Sequence, residues 1–176
     1  MDDKQWNAIL ECHLTAPFKI LRAAQPHIKR LFLEERENGI TNFRKVVNIS
    51  STSGMFGNAG QINYATAKAG VVGMAKTMAK EWGRYNVNVN AVGLGLIKTR
   101  LTESDAVKEE SLIDIEGNKI KVGVNSAVFQ SAKTMIPLGR PGTPQEAAGA
   151  IYMFCIPESN YVTGQILMCH GGGFGY

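Results

Sequence analysis

The 176-residue sequence has only three cysteines, no basic run and no long apolar run, and each absence argues against a class of function. Its three cysteines, Cys12, Cys155 and Cys169, are odd in number and form no C-x-x-C pair, which argues against a disulfide framework and a zinc site. No stretch approaches the roughly 20 apolar residues that a membrane helix requires. The opening Met-Asp-Asp-Lys-Gln-Trp has neither the basic region nor the apolar core of an export signal. Net charge is +4, yet Lys and Arg are scattered and form no basic run interleaved with aromatics, so no nucleic-acid partner and no membrane are expected. No repeat or low-complexity segment is present. These absences leave a soluble protein of a reducing cytoplasm, with 44% hydrophobic and 19% charged residues and a length suited to one domain.

What is present reads as alternating helices and strands. Trp6, Leu10, Leu14, Phe18, Leu21, Ala24 and Ile28 recur at helical spacing between Asp3 and Lys29, with Pro17 and Pro26 as interruptions. After a charged link, "VVNIS" (residues 46–50) reads as a buried strand. Asn63 offers an N-cap for a helix running to about Tyr85, and "VNVNAV" (87–92) is the next strand. Strand, helix, strand at this spacing predicts a βαβ unit and a parallel sheet. Residues 102–134 read as an inserted lid, with a small hairpin around "EGNK" tipped by Gly117-Asn118. Thr143-Pro144-Gln145-Glu146 is a capping box opening a helix through Phe154, and "GQILMC" is a last strand. The expected fold is α/β, a doubly wound parallel sheet with flanking helices.

The chemistry concentrates in "NYATAKAG" (63–70). Lys68 is the single charge in the apolar run 65–75, so the first half of this helix is expected to be buried on more than one side. Tyr64 lies four residues before it, on the same face. An ammonium beside a phenol favours the phenolate, whose unperturbed pKa is about 10, and suits the phenol to general acid or base work. Ser51 follows the strand 46–50 at its carboxyl end, where open α/β sheets bind ligands. Serine, tyrosine and lysine there could hold a carbonyl oxygen, protonate it and grip a polar cofactor. The competing readings are turn chemistry for the serine and a helix terminus for the tyrosine.

"NISSTSG…GQINYATAKAGVVGMAKTMAKEWGRYNVNVNAV" resembles the catalytic core of the short-chain dehydrogenase/reductase family, and within it the 3-oxoacyl-acyl carrier protein reductases. "WNAILECHLTAPFKILRAA", "PLGRPGTPQEAAGAIYMF" and "YVTGQILMCHGGG" extend the likeness over nearly the whole chain outside the lid. The resemblance implies an NADP(H)- or NAD(H)-linked interconversion of a carbonyl and a secondary alcohol, with a small carbonyl compound or 3-oxoacyl thioester as substrate. It gives Ser51 the substrate oxygen, Tyr64 the proton transfer, and Lys68 the nicotinamide ribose. Gly95, Ile97 and Thr99, in "GLGLIKT", fall where the family contacts the nicotinamide end of the cofactor. It also implies a homo-dimer or tetramer through helix 63–85.

The sequence departs from the family pattern in several places. His13 stands where the family usually has the asparagine that completes a proton relay. Pro17, lacking an N–H, cannot bond the His13 carbonyl, so a relay through that carbonyl could survive beside an imidazole. Leu94 replaces a proline and His170 an aspartate. The sequence shows no counterpart of the glycine-rich phosphate turn that opens the family fold, and "GNAG" at 57–60 is no substitute. The chain is therefore expected to be a single partial Rossmann-like domain, the C-terminal catalytic part of a reductase truncated at its N-terminus. A half of a split enzyme, a non-enzymatic fragment acting in oligomerisation, and an alcohol, polyol or steroid dehydrogenase are the alternatives.

Overall fold

The computed structural model describes residues 1–99, 112–115, 118–121 and 134–173. Two compact units divide the chain: Met1–Gly93 with Ala150–Met168, and Leu94–Gly149 with Cys169–Tyr176.

The first unit opens with helix α1 (Asp3–Leu10), started by a reciprocal capping box. Asp2 accepts the Gln5 N–H at 2.8 Å and Gln5 accepts the Asp2 N–H at 3.2 Å. A π-helical turn, Glu11–Thr15, joins it to α2 (Ala16–Glu37). Pro17 explains the widened turn. It cannot supply the α-type bond to the His13 carbonyl, and the Ala16 N–H reaches back five residues to Glu11 instead.

The sequence expectation for this region needs two corrections. Pro26 lies inside α2 without ending it, and the helix runs past Lys29 to Glu37. "RLFLEERE" consists mainly of strong helix formers, tied by an Arg30–Glu34 pair at 2.7 Å. Termination waits for Asn38 and for Gly39, at φ +66°.

Strand β1 (Arg44–Ser51) runs into a short helix α3 (Thr52–Phe56), within the serine- and glycine-containing stretch "SSTSGMFGNAG". Helix α4 (Ile62–Trp82) and a 3-10 turn (Gly83–Tyr85) lead to strand β2 (Val87–Leu94). Gln61, not Asn63, stands at the N-cap of α4. Strand β5 (Ile166–Cys169) lies beside β2 in a sheet of order β1-β2-β5. The bonds Gly164 N to Val89 O, Ala91 N to Gln165 O and Gly95 N to Cys169 O advance together along the two segments, as parallel pairing requires.

Side-chain alternation on β2 divides its labour. Val87, Val89 and Ala91 pack with Val72, Ala75, Met78, Ala79 and Trp82 of α4 to form the core. Asn88 and Asn90 are also buried, and they zip the segment before β5 onto the strand. Asn88 donates to the Asn160 carbonyl at 3.0 Å, while Asn90 donates to the Val162 carbonyl and accepts from the Gln165 N–H, both at 2.9 Å. Buried amides are tolerable because each is paired.

The expectation that the first half of α4 is buried on more than one side fails for one face. Ala67, Val71, Val72 and Ala75 are buried, but Thr66, Ala69 and Gly73 are exposed, because no described element of this chain covers them.

In the second unit, β3 (Leu112–Ile115) and β4 (Asn118–Lys121) form an antiparallel hairpin. Ile115 pairs with Asn118, so Asn118 belongs to the strand and not to the tip. The rest of the expected lid lies largely outside the described residues. Helix α5 (Pro144–Tyr152) begins with the expected capping box: Thr143 N donates to Glu146 at 2.8 Å and Glu146 N to Thr143 Oγ1 at 3.2 Å. Among the described residues, no helix is long and apolar enough to cross a membrane, and no cluster of three metal-ligating side chains occurs.

Candidate active site

The carboxyl end of β1 and the first turns of α4 build the site. Ser51 is the last residue of β1 and the N-cap of α3, where its hydroxyl oxygen accepts the Ser53 N–H at 3.2 Å. A cap uses a lone pair of the hydroxyl and leaves its proton to donate elsewhere. Both readings of this serine, turn chemistry and ligand donor, are therefore compatible in one side chain.

Tyr64 sits in the first turn of α4. The backbone N–H groups there have no partner within the helix, and Asn63 Oδ1 accepts that of Tyr64 at 2.8 Å. The amide of Asn63 reaches across to the Gln5 carbonyl of α1 at 3.1 Å. Asn63 thus pins the turn that carries the tyrosine. The side chain of Tyr64 meets His13 of the π-helical turn edge-to-face, with ring centroids 5.2 Å apart and planes at 89°.

Lys68, one turn on, places Nζ 5.6 Å from the centroid of the same Tyr64 ring and donates to the Ile49 carbonyl at 2.9 Å. An ammonium has three donors, so two remain for a ligand. Burial pushes the Lys68 pKa down, with Cys12 acting weakly the other way. Burial also lowers the His13 pKa, and the charge of Lys68 lowers it further. Two close approaches lock Lys68 to the strand end. Ser50 Oγ donates to the Lys68 carbonyl at 2.8 Å, and a Cβ on Gly54 would stand 2.7 Å from the Lys68 carbonyl carbon.

His13, Tyr64 and Lys68 are brought together, and Ser51 joins them through β1, where its neighbours Ile49 and Ser50 bond Lys68. Gly95, Ile97 and Thr99 fall in the second unit. Gly95 has a packing reason of its own, since a Cβ there would lie 2.9 Å from the His170 Cα. Ile97 forms a parallel bridge with Gly142, and Thr99 is exposed.

The family described as short chain dehydrogenase matches residues 1–110. The chain belongs to the short-chain dehydrogenase family. A second family description, Enoyl-(Acyl carrier protein) reductase, matches residues 112–173 of this short-chain dehydrogenase. It is similar to the 3-oxoacyl-[acyl-carrier-protein] reductase of Thermotoga maritima, 36% identical over 98% of this chain and 58% of that protein. The corresponding reductase of Vibrio cholerae is 33% identical over 98% of this chain and 59% of its own length. The chain thus spans somewhat under two thirds of the curated relatives it matches. Among solved structures, a short chain dehydrogenase from Bacillus anthracis aligns with TM-score 0.70 at 29% identity, covering 98% of this chain and 57% of that one. A 4-hydroxyisoleucine dehydrogenase complexed with NADH aligns with TM-score 0.71 at 23% identity, over 97% of this chain and 60% of that one, a likeness of fold alone.

Sequence reasoning missed Ser50, Gly54 and the cross-helix bond of Asn63. Gly54 had a signal, a glycine two residues inside the connection that follows the strand. The role of Asn63 had none, because its partner lies in another helix.

Proposed function

We propose that this short-chain dehydrogenase interconverts a carbonyl and a secondary alcohol with a nicotinamide coenzyme, and that its substrate is a 3-oxoacyl thioester. The observation that carries the reading is the meeting of Tyr64 and Lys68 at the end of β1, with the ammonium 5.6 Å from the phenol ring. The residues present suit the nicotinamide-ribose end of such a coenzyme, since Lys68 keeps two free donors for its hydroxyls beside an open strand end. The coenzyme, NADP(H) or NAD(H), supplies hydride when bound.

The chain's own groups do the rest. Ser51 donates its hydroxyl proton to the substrate oxygen and orients it. Tyr64 passes its proton to that oxygen as negative charge develops there, and takes it back in the alcohol-oxidising direction. Lys68 holds a ribose hydroxyl and keeps a positive charge beside the phenol. The family resemblance alone assigns Gly95, Ile97 and Thr99 to the nicotinamide. The thioester is favoured over other carbonyl compounds because relatives 33–36% identical are 3-oxoacyl-[acyl-carrier-protein] reductases.

Two copies, or four, pair through the exposed face of α4. Thr66, Ala69 and Gly73 leave that face smooth enough for close helix approach, and Ile62 is 65% exposed at its start.

The test is oxidation of NADPH or NADH, followed by absorbance, with a 3-oxoacyl thioester and with simple ketones. Saturable oxidation preferring the thioester is expected. Coenzyme that stays reduced with every carbonyl would sink the reading.

A further inference from the structure

Among the described residues, the ring of Tyr64 meets one ammonium, that of Lys68, and one imidazole, that of His13. Lys68 lies 5.6 Å from the centroid, and the imidazole of His13 meets it edge-to-face at 5.2 Å and 89°. His13 is half-buried and is delivered by the π-helical turn that Pro17 imposes between α1 and α2. We propose that His13 is a positioning residue for Tyr64 whose protonation state decides whether the tyrosine and Lys68 keep their working arrangement. The inference rests on the reading of Tyr64 as the proton donor.

The physical case concerns charge crowding. With a neutral imidazole, Lys68 is the one cation against the ring among the described residues, and His13 supplies an apolar edge that holds the ring's orientation. Once protonated, His13 sets a second cation beside the same half-buried ring, and the two cations repel. Relief is available through rotation of either side chain toward solvent, and both rotations dismantle the contact with Tyr64.

The surroundings offer no compensating anion among the described residues. From α4, the groups facing His13 are Tyr64 and Lys68. On its own turn, Cys12 lies within electrostatic reach of Lys68, and Glu11 is held by Lys19 of α2 at 2.6 Å. Asp3 and Lys4 of α1 occupy the first turn of that helix, at the far end from His13. Burial and the charge of Lys68 both favour neutral imidazole, so the arrangement is intact at neutral pH and fails on the acid side of the ordinary histidine range, about 6.5.

Two measurements test this, one of which needs no turnover. The imidazole resonances of the chain are followed against pH by nuclear magnetic resonance, with His13 assigned by its loss in His13→Asn and His27 by its loss in His27→Asn. The His13 midpoint is expected below that of a free histidine, and Lys68→Met should raise it. A midpoint that ignores Lys68→Met would overturn the proposal whether or not the protein is an enzyme.

The second measurement is the pH dependence of NAD(P)H oxidation. The unaltered protein should lose rate at acid pH with a midpoint that tracks the resonance. His13→Phe keeps a ring edge against Tyr64 but cannot charge, and should lack that acid loss. Should His13→Phe not fold, His13→Asn answers the same question. An acid limb unchanged in both variants overturns the proposal, while turnover that fails at every pH, with a resonance that still responds to Lys68→Met, indicts the functional reading alone.

Discussion

Glu146 shows how a single exposed carboxylate can be held in its charged form. Arg140 grips both of its oxygens, at 2.6 and 2.8 Å, and Thr143 donates from backbone and hydroxyl, so its pKa falls to about 2 from 4.5. A depressed carboxylate stabilises the fold above its unfolded pKa and loses that contribution as pH falls through the folded value. The acid-side loss in the window between about 4.5 and about 2 should therefore be shallower in Glu146→Gln, as read by thermal melts at a series of pH values. The same residue scale marks how far the site could be read from sequence. Tyr64 and Lys68 were visible because a lone lysine in an apolar helix is costly and their spacing puts both on one face. The contact of His13 with Tyr64 was not, since it crosses between elements separated by fifty residues of chain and depends on a π-helical turn.

Among elements, the decisive contact is between α3 and α4. Gly54 brings the two helices so close that a Cβ would stand 2.7 to 2.8 Å from the Lys68 and Ala69 backbone, which no rotamer change can relieve. Gly54→Ala is expected to cost about 1–3 kcal/mol of stability in denaturant unfolding and to displace Lys68 from the end of β1. Gly73→Ala, at a position where a Cβ meets nothing within 4 Å, is the matched control. The apolar runs marked β1, β2 and β5, and α4 with them, though only β2 is buried almost throughout; in β1 the expected burial fails at Ile49, which is 38% exposed, and Val46 and Val47 are half-buried. Periodicity failed for α3, whose five residues are too few to show a period, and for the end of α2, where Pro26 suggested a break that the helix formers of residues 30–37 override.

For the whole molecule, the face of α4 that no described element covers carries the assembly claim. Gly73 has open space around it, so Gly73→Arg should leave the isolated fold intact while blocking close approach of a second copy. Sedimentation is expected to find an oligomer for the unaltered protein and a monomer for the variant. An oligomer that survives the substitution would move the interface elsewhere. The central claim, however, concerns the phenol of Tyr64, and its most direct test is the rate of NAD(P)H oxidation with a 3-oxoacyl thioester in the unaltered protein and in Tyr64→Phe. The substitution removes one oxygen and keeps the ring against His13 and Lys68. The account predicts a loss on the order of 10²-fold or more in kcat, the scale of a positioned general acid, with coenzyme affinity retained. Turnover in Tyr64→Phe near the unaltered rate would contradict it.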